Sequence, residues 1–171
     1  MKTHKLGLKA DEIRLVPYDP DWPSFFEEES LRIKNALKGH ALDIQHFGST
    51  SVPGLTAKPI IDILIGLKDF DEIDEIIRLM NNIGYEWCQG VKIPGDYTFG
   101  FGDPREFFAH IVRIDSPNWS QNILFRDRLR SDPDLARSYA ELKRNLARNY
   151  KGIRSEYTLG KTAFVTDAVK T

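Results

Sequence analysis

Cysteine is nearly absent from this chain: Cys88 stands alone in 171 residues. No intramolecular disulfide can form, and a cysteine-rich zinc site is excluded. A reducing, intracellular setting is the simpler expectation. Long apolar runs are missing as well, with nothing approaching the roughly 20 residues that a membrane-crossing helix needs. The opening segment, 1–10, carries basic residues but no continuous apolar stretch to serve as a signal-peptide core. The expectation is a cytoplasmic protein without membrane contact. Charge of one sign is not in excess either: 24 Lys and Arg stand against 25 Asp and Glu. Bulk, non-specific nucleic-acid binding is therefore not expected, although a local basic patch is compatible with the balance.

Several catalytic signatures are missing too. The chain has no serine nucleophile elbow, no Walker lysine loop and no metal-binding His-Glu pattern. Cys88 has no base nearby in sequence, which argues against a thiol nucleophile. There is no internal repeat and no low-complexity linker. What is present is ordinary for a globular protein, 41% hydrophobic and 29% charged. The length suits a single domain over 1–171 with a core of its own.

Along the chain, Ile13 to Val16 reads as a short strand, followed by the turn-rich Tyr18-Asp-Pro-Asp-Trp-Pro23 and a helix closing at Gly39. Asp19 or Asp21 can cap that helix, and Pro23 suits its first turn. Strands are expected at Leu42 to Phe47, Ile60 to Leu67, Tyr85 to Cys88, over the alternating Tyr97, Phe99 and Phe101, and at Phe107 to Ile114. A helix over Phe70 to Ile83 stops at Gly84, and the Gly and Pro of 90–95 predict a loop. After Pro117 everything reads as helix: Asn122 to Arg130, Asp134 to Tyr150 and Ser155 to Val169. In the second of these, Leu135, Tyr139, Leu142, Leu146 and Tyr150 form an apolar stripe. The fold class is α/β (α+β): a mixed sheet flanked by helices over about 1–117, then a helical part over about 118–171.

The most informative segment is His46-Phe-Gly-Ser-Thr-Ser-Val-Pro-Gly-Leu55 and the strand after it. Gly48-Ser49 follows a strand and opens a turn whose free amides, with the hydroxyls of Ser49 and Thr50 or Ser51, suit an anion such as phosphate. An ordinary tight turn is the plain alternative. Asp62 is a single acid in an otherwise apolar strand, where an unpaired carboxylate is costly unless something uses or neutralises it. A hard carboxylate there suits Mg²⁺ shared with a nucleotide's phosphates, and pairing with a Lys or Arg is the structural alternative. Lys58 stands where a cation can face the same anion. His110, in mid-strand, is either a satisfied core histidine or a group that meets Asp62 if the two strands are neighbours; His46 poses the same question. Arg126 and Arg130 share a helical face and offer forks for phosphate, against the commoner solvated or salt-bridged face. Tyr157 and Lys161 lie one helical turn apart and can present a hydroxyl and an ammonium together, or form a snorkelling pair.

These segments, with Ala57-Lys-Pro-Ile-Ile-Asp-Ile63, His110, Leu124-Phe-Arg-Asp-Arg-Leu-Arg130, Tyr157 and Lys161, make the chain resemble the GrpB family. Members of that family look like nucleotidyltransferases of the polymerase-β superfamily. The resemblance implies a nucleotidyltransferase-like fold that binds a nucleotide or another phosphorylated small molecule at Gly48, Ser49, Thr50, Lys58, Arg126, Arg130 and Lys161. It further implies Asp62 as metal ligand for Mg²⁺, and Asp62 with His110 as catalytic groups moving a nucleotidyl group to a small acceptor. The superfamily pattern has a second acid two residues after the first, and Leu64 stands there instead. A non-catalytic ligand-binding or regulatory module of the same fold is therefore carried beside the enzyme.

Overall fold

Residues 6–90 and 93–170 are described by a computed structural model. Positions 91 and 92 of the expected 90–95 loop, and 1–5 of the opening segment, lie outside the described residues. Helix α1 (Trp22–Ala36) is followed by β1 (Asp43–Phe47), a single 3₁₀ turn (Ser49–Ser51), β2 (Ile61–Leu67) and α2 (Ile73–Asn82). Strands β3 (Glu86–Trp87), β4 (Asp96–Phe101) and β5 (Phe107–Arg113) complete a five-stranded sheet. Four helices follow: α3 (Pro117–Ser131), α4 (Pro133–Asn149), α5 (Arg154–Leu159) and α6 (Thr162–Val169).

The sheet is mixed, in the order β1-β2-β5-β4-β3. Only the β2–β5 pair is parallel; its crossover passes through α2 and the β3–β4 hairpin. Strand period then assigns the faces. Ile61, Ile63 and Ile65 join Ala109, Ile111 and Phe99 in a core closed by Trp22 and Ile33 of α1 and Ile76 and Met80 of α2. Asp62 and Leu64 of β2, with Phe47, Phe108 and His110 beside them in register, fall on the opposite face. Helix α3 covers part of that face, where a side chain on Gly66 would sit about 3.0 Å from Trp119. The C-terminal helices attach through a second cluster of Val52, Leu55, Leu129, Tyr139 and Ala140.

The expected mixed sheet and helical C-terminal part are present. Two elements differ from expectation. Ile13 to Val16 is not a strand: Val16 exchanges two backbone hydrogen bonds with Ala57, of 2.8 and 3.0 Å, and nothing continues the ladder. Pro17 has no N–H with which to extend it. The helix expected over Ser155 to Val169 is two, parted at Gly160, where a Cβ would run into the Leu146 side chain on α4. Separately, Tyr85 donates to Glu29 Oε1 at 2.8 Å and Arg32 grips the same carboxylate, fastening α1 to the segment before β3.

Candidate functional site

The turn after β1 is shaped by Asp62. Gly48 has φ +69°, a region that costs a side-chain-bearing residue dearly, and a Cβ there would press into the Asp62 carboxyl. Ser51 closes the turn by donating to Gly48 O at 2.6 Å. Thr50 is buried and faces inward, its Oγ1 3.0 Å from His46 Nε2. His46 stacks on Phe26, and burial, with Arg130 and Arg126 nearby, pushes its pKa down to about 3. It is a neutral, satisfied core histidine.

Arg126 and Arg130 do share a face, and that face grips the turn from outside. Arg126 Nη1 donates to Gln45 Oε1 at 2.9 Å and to His46 O at 3.0 Å. Arg130 donates through Nε and Nη2 to Ser51 O at 3.0 and 2.8 Å. Those donors are occupied by the chain itself, so these arginines position the turn.

The cations that face Asp62 come from elsewhere. Lys143 of α4, only 2% exposed, donates to Ser49 Oγ at 3.0 Å and to Thr56 O. Its ammonium lies 4.9 Å from the Tyr139 ring centre. Lys58 and Lys161 both lie against the Tyr157 ring, at 5.1 and 4.8 Å. Neither forms an ion pair among the described residues. Arg154 donates Nη1 to Ala10 O at 3.1 Å, while its Nη2 is buried with no hydrogen-bond partner among the described residues. Burial pushes Lys58 down to about 7, and Lys161 and Arg154 push the same way. Lys143 falls to about 7 as well, through burial and the charges of Lys161, Arg144 and Lys58. Lys161 is lowered mainly by burial.

Asp62 itself makes no side-chain hydrogen bond or ion pair among the described residues. Burial raises its pKa, against the pull of His110, Lys58, Lys161 and Arg154. One carboxylate thus stands among three lysines and an arginine. A resident divalent cation fits that set poorly, since Mg²⁺ needs several oxygens and a surplus of negative charge around it. Among the described residues no group of three His, Cys, Asp or Glu gathers anywhere in the protein. An anion fits: among the described residues the Lys58 and Lys161 ammoniums form no close ion pair and Arg154 Nη2 has no hydrogen-bond partner, and the single Asp62 carboxylate is the one negative charge acting on all three.

His110 lies on the same face, beside Leu64 in register. Its Nδ1 is 2.9 Å from Asp96 Oδ2 and 3.4 Å from Thr98 Oγ1. Burial disfavours its charged form, but the Asp96 hydrogen bond and the charges of Asp96 and Asp62 outweigh that and raise its pKa.

The sequence profile described as "GrpB: GrpB protein" matches residues 12–171. The chain belongs to the GrpB family. A relative from Pseudomonas aeruginosa, UPF0157 protein PA4798, is 39% identical over 91% of this chain and 65% of its own length. The chain thus spans about two thirds of that relative. The crystal structure of the conserved protein GrpB from Enterococcus faecalis superposes with a TM-score of 0.82 at 32% identity, covering 91% of this chain and 94% of that one. Beyond the GrpB family the likeness to nucleotidyltransferases is distant. The Cid1 poly(U) polymerase, in an H336N mutant bound to MgATP, gives a TM-score of 0.48 at 12% identity over 75% of this chain and 45% of that one.

Of the residues expected from sequence, Gly48, Ser49, Lys58, Asp62 and Lys161 come together around one site, with His110 at its side. Lys143, Arg154, Tyr139 and Asp96 were not among them. Lys143 had a visible signal, because it interrupts the apolar face of α4 between Tyr139 and Leu146.

Proposed function

We propose that this GrpB-family chain binds the phosphates of a nucleotide, or of another phosphorylated small molecule, in the cradle formed by Lys58, Lys143, Lys161 and Arg154 beside the Gly48-Ser49 turn. The observation that carries the reading is the surplus of cationic side chains over the single carboxylate, Asp62, that faces them all among the described residues. A cluster of lysines around one unpaired carboxylate is an unfavourable thing to bury, and a polyanion removes most of that cost. Ser49, held by Lys143, borders the same space. Asp62 sets the site's polarity and limits how much negative charge it takes. No resident Mg²⁺ enters this reading; a metal would arrive, if at all, with the phosphates.

With a nucleoside triphosphate as ligand, transfer of the nucleotidyl group to a small acceptor is the reaction that the reading carries. Leu64, in place of a second acid, favours the alternative of a non-catalytic binding or regulatory module. Calorimetry with inorganic pyrophosphate and with ATP, each without Mg²⁺, tests the shared claim. Binding by the wild type that Lys58→Met or Lys161→Met weakens about 10- to 100-fold is the expected result. Absence of binding to either probe overturns it.

A further inference from the structure

Asp96 lies a full strand beyond the residues at which a catalytic acid was expected, yet its side chain is built into the site. It is 6% exposed, pairs with no lysine or arginine among the described residues, and has both oxygens engaged. Oδ1 accepts from Thr98 Oγ1 at 3.1 Å, and Oδ2 lies 2.9 Å from His110 Nδ1. The Phe47 ring stands edge-on to the imidazole, with centres 5.2 Å apart and planes at 90°. Phe108 flanks it at 6.4 Å. The imidazole is therefore held in one orientation by a hydrogen bond and two aromatic walls. Its side chain is 18% exposed, and Nε2 has no hydrogen-bond partner among the described residues.

A carboxylate accepting from Nδ1–H fixes the neutral tautomer in which Nε2 is a bare acceptor. That is the arrangement a general base needs. Register adds the location: His110 is beside Leu64 and two residues along from Phe108, the neighbour of Asp62, so imidazole and carboxylate rise from one face of adjacent strands. The position that lacks an acid thus lies next to an oriented imidazole.

We propose that Asp96 and His110 form an acid–base pair in which His110 Nε2 takes the proton of an acceptor alcohol during group transfer at the cradle, with Asp96 as positioning residue. The proposal rests on the phosphate-site reading above. In the step, the alcohol's O–H bond breaks and its proton passes to Nε2. The oxygen forms a bond to the α-phosphorus of a nucleoside triphosphate. The bond from that phosphorus to the pyrophosphate oxygen breaks, and its electron pair leaves on pyrophosphate beside the lysine ammoniums. The imidazolium that remains faces Asp96, which stabilises it, and it can return the proton to pyrophosphate. A protein base here removes the need for a second carboxylate to activate the acceptor through a metal.

The test is long-range ¹H–¹⁵N correlation of the histidine rings in the whole chain, in alkaline buffer where imidazoles are neutral, with and without pyrophosphate. The expected result is His110 as the Nδ1–H tautomer, with an Nε2 resonance that moves when pyrophosphate binds. In Asp96→Asn the Nε2–H form becomes substantially populated, while pyrophosphate affinity changes less than about threefold, the sign of a role in orientation and not in anchoring the ligand. An Nε2–H tautomer in the wild type, or bound pyrophosphate with an unmoved Nε2, overturns the pair and leaves the phosphate site standing. Failure of pyrophosphate to bind overturns both. The wild-type spectra decide without any variant, and Thr98→Val, which frees Asp96 Oδ1 while keeping side-chain volume, supplies a second perturbation in the same direction as Asp96→Asn should the latter fold poorly.

Discussion

Lys143 reaches from α4 to donate a hydrogen bond to Ser49 Oγ, 3.0 Å away and 94 residues earlier in the chain. A buried ammonium is joined by this contact to the turn that the sequence marks most strongly. The turn is held from three sides: by Lys143, by the forked Arg130 at Ser51 O, and by the Asp62 carboxyl packed beneath Gly48.

Removing one cradle cation separates binding from stability. Lys161→Met is expected to weaken pyrophosphate binding about 10- to 100-fold, the roughly 1.5 to 3 kcal/mol carried by a hydrogen bond to a charged group. Without ligand the same protein is expected to melt at the same temperature or higher, because an unpaired buried ammonium has been removed. Calorimetry and thermal unfolding on one preparation give both readings.

Asp62→Asn discriminates a metal ligand from a charge that opposes the anion. If the carboxylate opposes the phosphates, removing it tightens ATP binding in the absence of Mg²⁺ by roughly 10-fold, about 1.4 kcal/mol. Weaker binding seen only when Mg²⁺ is present would restore Asp62 as a metal ligand. Paired titrations with ATP and with MgATP distinguish the two.

Two of the three depressed lysines, Lys58 and Lys143, give pH dependences of opposite sign for stability and binding. Lys58 and Lys143 fall from the ordinary 10.5 to about 7 in the folded chain. Between those values the unfolded chain binds more protons than the native one, so stability of the free protein rises with pH from about 7 towards 10. Tyr139 and Tyr157, both raised by burial above their ordinary 10.0, reverse the trend beyond it. Affinity for pyrophosphate moves the other way and declines above about pH 7 as the ammoniums discharge. Urea unfolding and calorimetry across this range measure the two slopes.

Gly48→Ala tests the packing of turn on acid. A non-glycine residue at φ +69° costs about 1 to 3 kcal/mol for the backbone alone. The new methyl must also displace the Asp62 carboxyl, so ligand binding is expected to fall with stability. A urea midpoint within error of the wild type would show that the turn relaxes freely.

Arg130→Lys leaves the charge and removes the fork. Two donors on Ser51 O become at most one, for an expected loss of about 1 kcal/mol in urea unfolding. Pyrophosphate affinity should change little compared with Lys161→Met, because Arg130 holds the turn and not the ligand.

The fold was legible where local patterns carry it. Alternation in β4, the apolar run of β2 and the glycines after α1 and α2 mark elements whose periods differ, and each element is found near its expected place. The Gly48-Ser49 turn and Asp62 were legible because glycine and an isolated acid are anomalies in their own strands. Asp96 was not, since its relation to His110 exists only once β5 lies between β2 and β4, an order set by a crossover that no short window contains. Arg126 and Arg130 show the limit of spacing: a shared face was correct, but whether it met phosphate or backbone carbonyls depended on what packed against it. The apolar stripe of α4 could have yielded Lys143, since a lysine set among Tyr139, Leu146 and Tyr150 at helical steps must either snorkel out or find a partner inside.

The cradle's cations come from the segment before β2, from α4, from the start of α5 and from the residue ahead of α6, so each half of the chain holds only part of the proposed site. A cut between β5 and α3 would leave an α/β piece holding Asp62 and Lys58, and a helical piece holding Lys143, Arg154 and Lys161. Neither piece could bind alone with full strength. A ligand added to the two together would act as their glue, and the tightness with which they reassociate would become a direct meter of how much the anion contributes to holding the molecule in one piece.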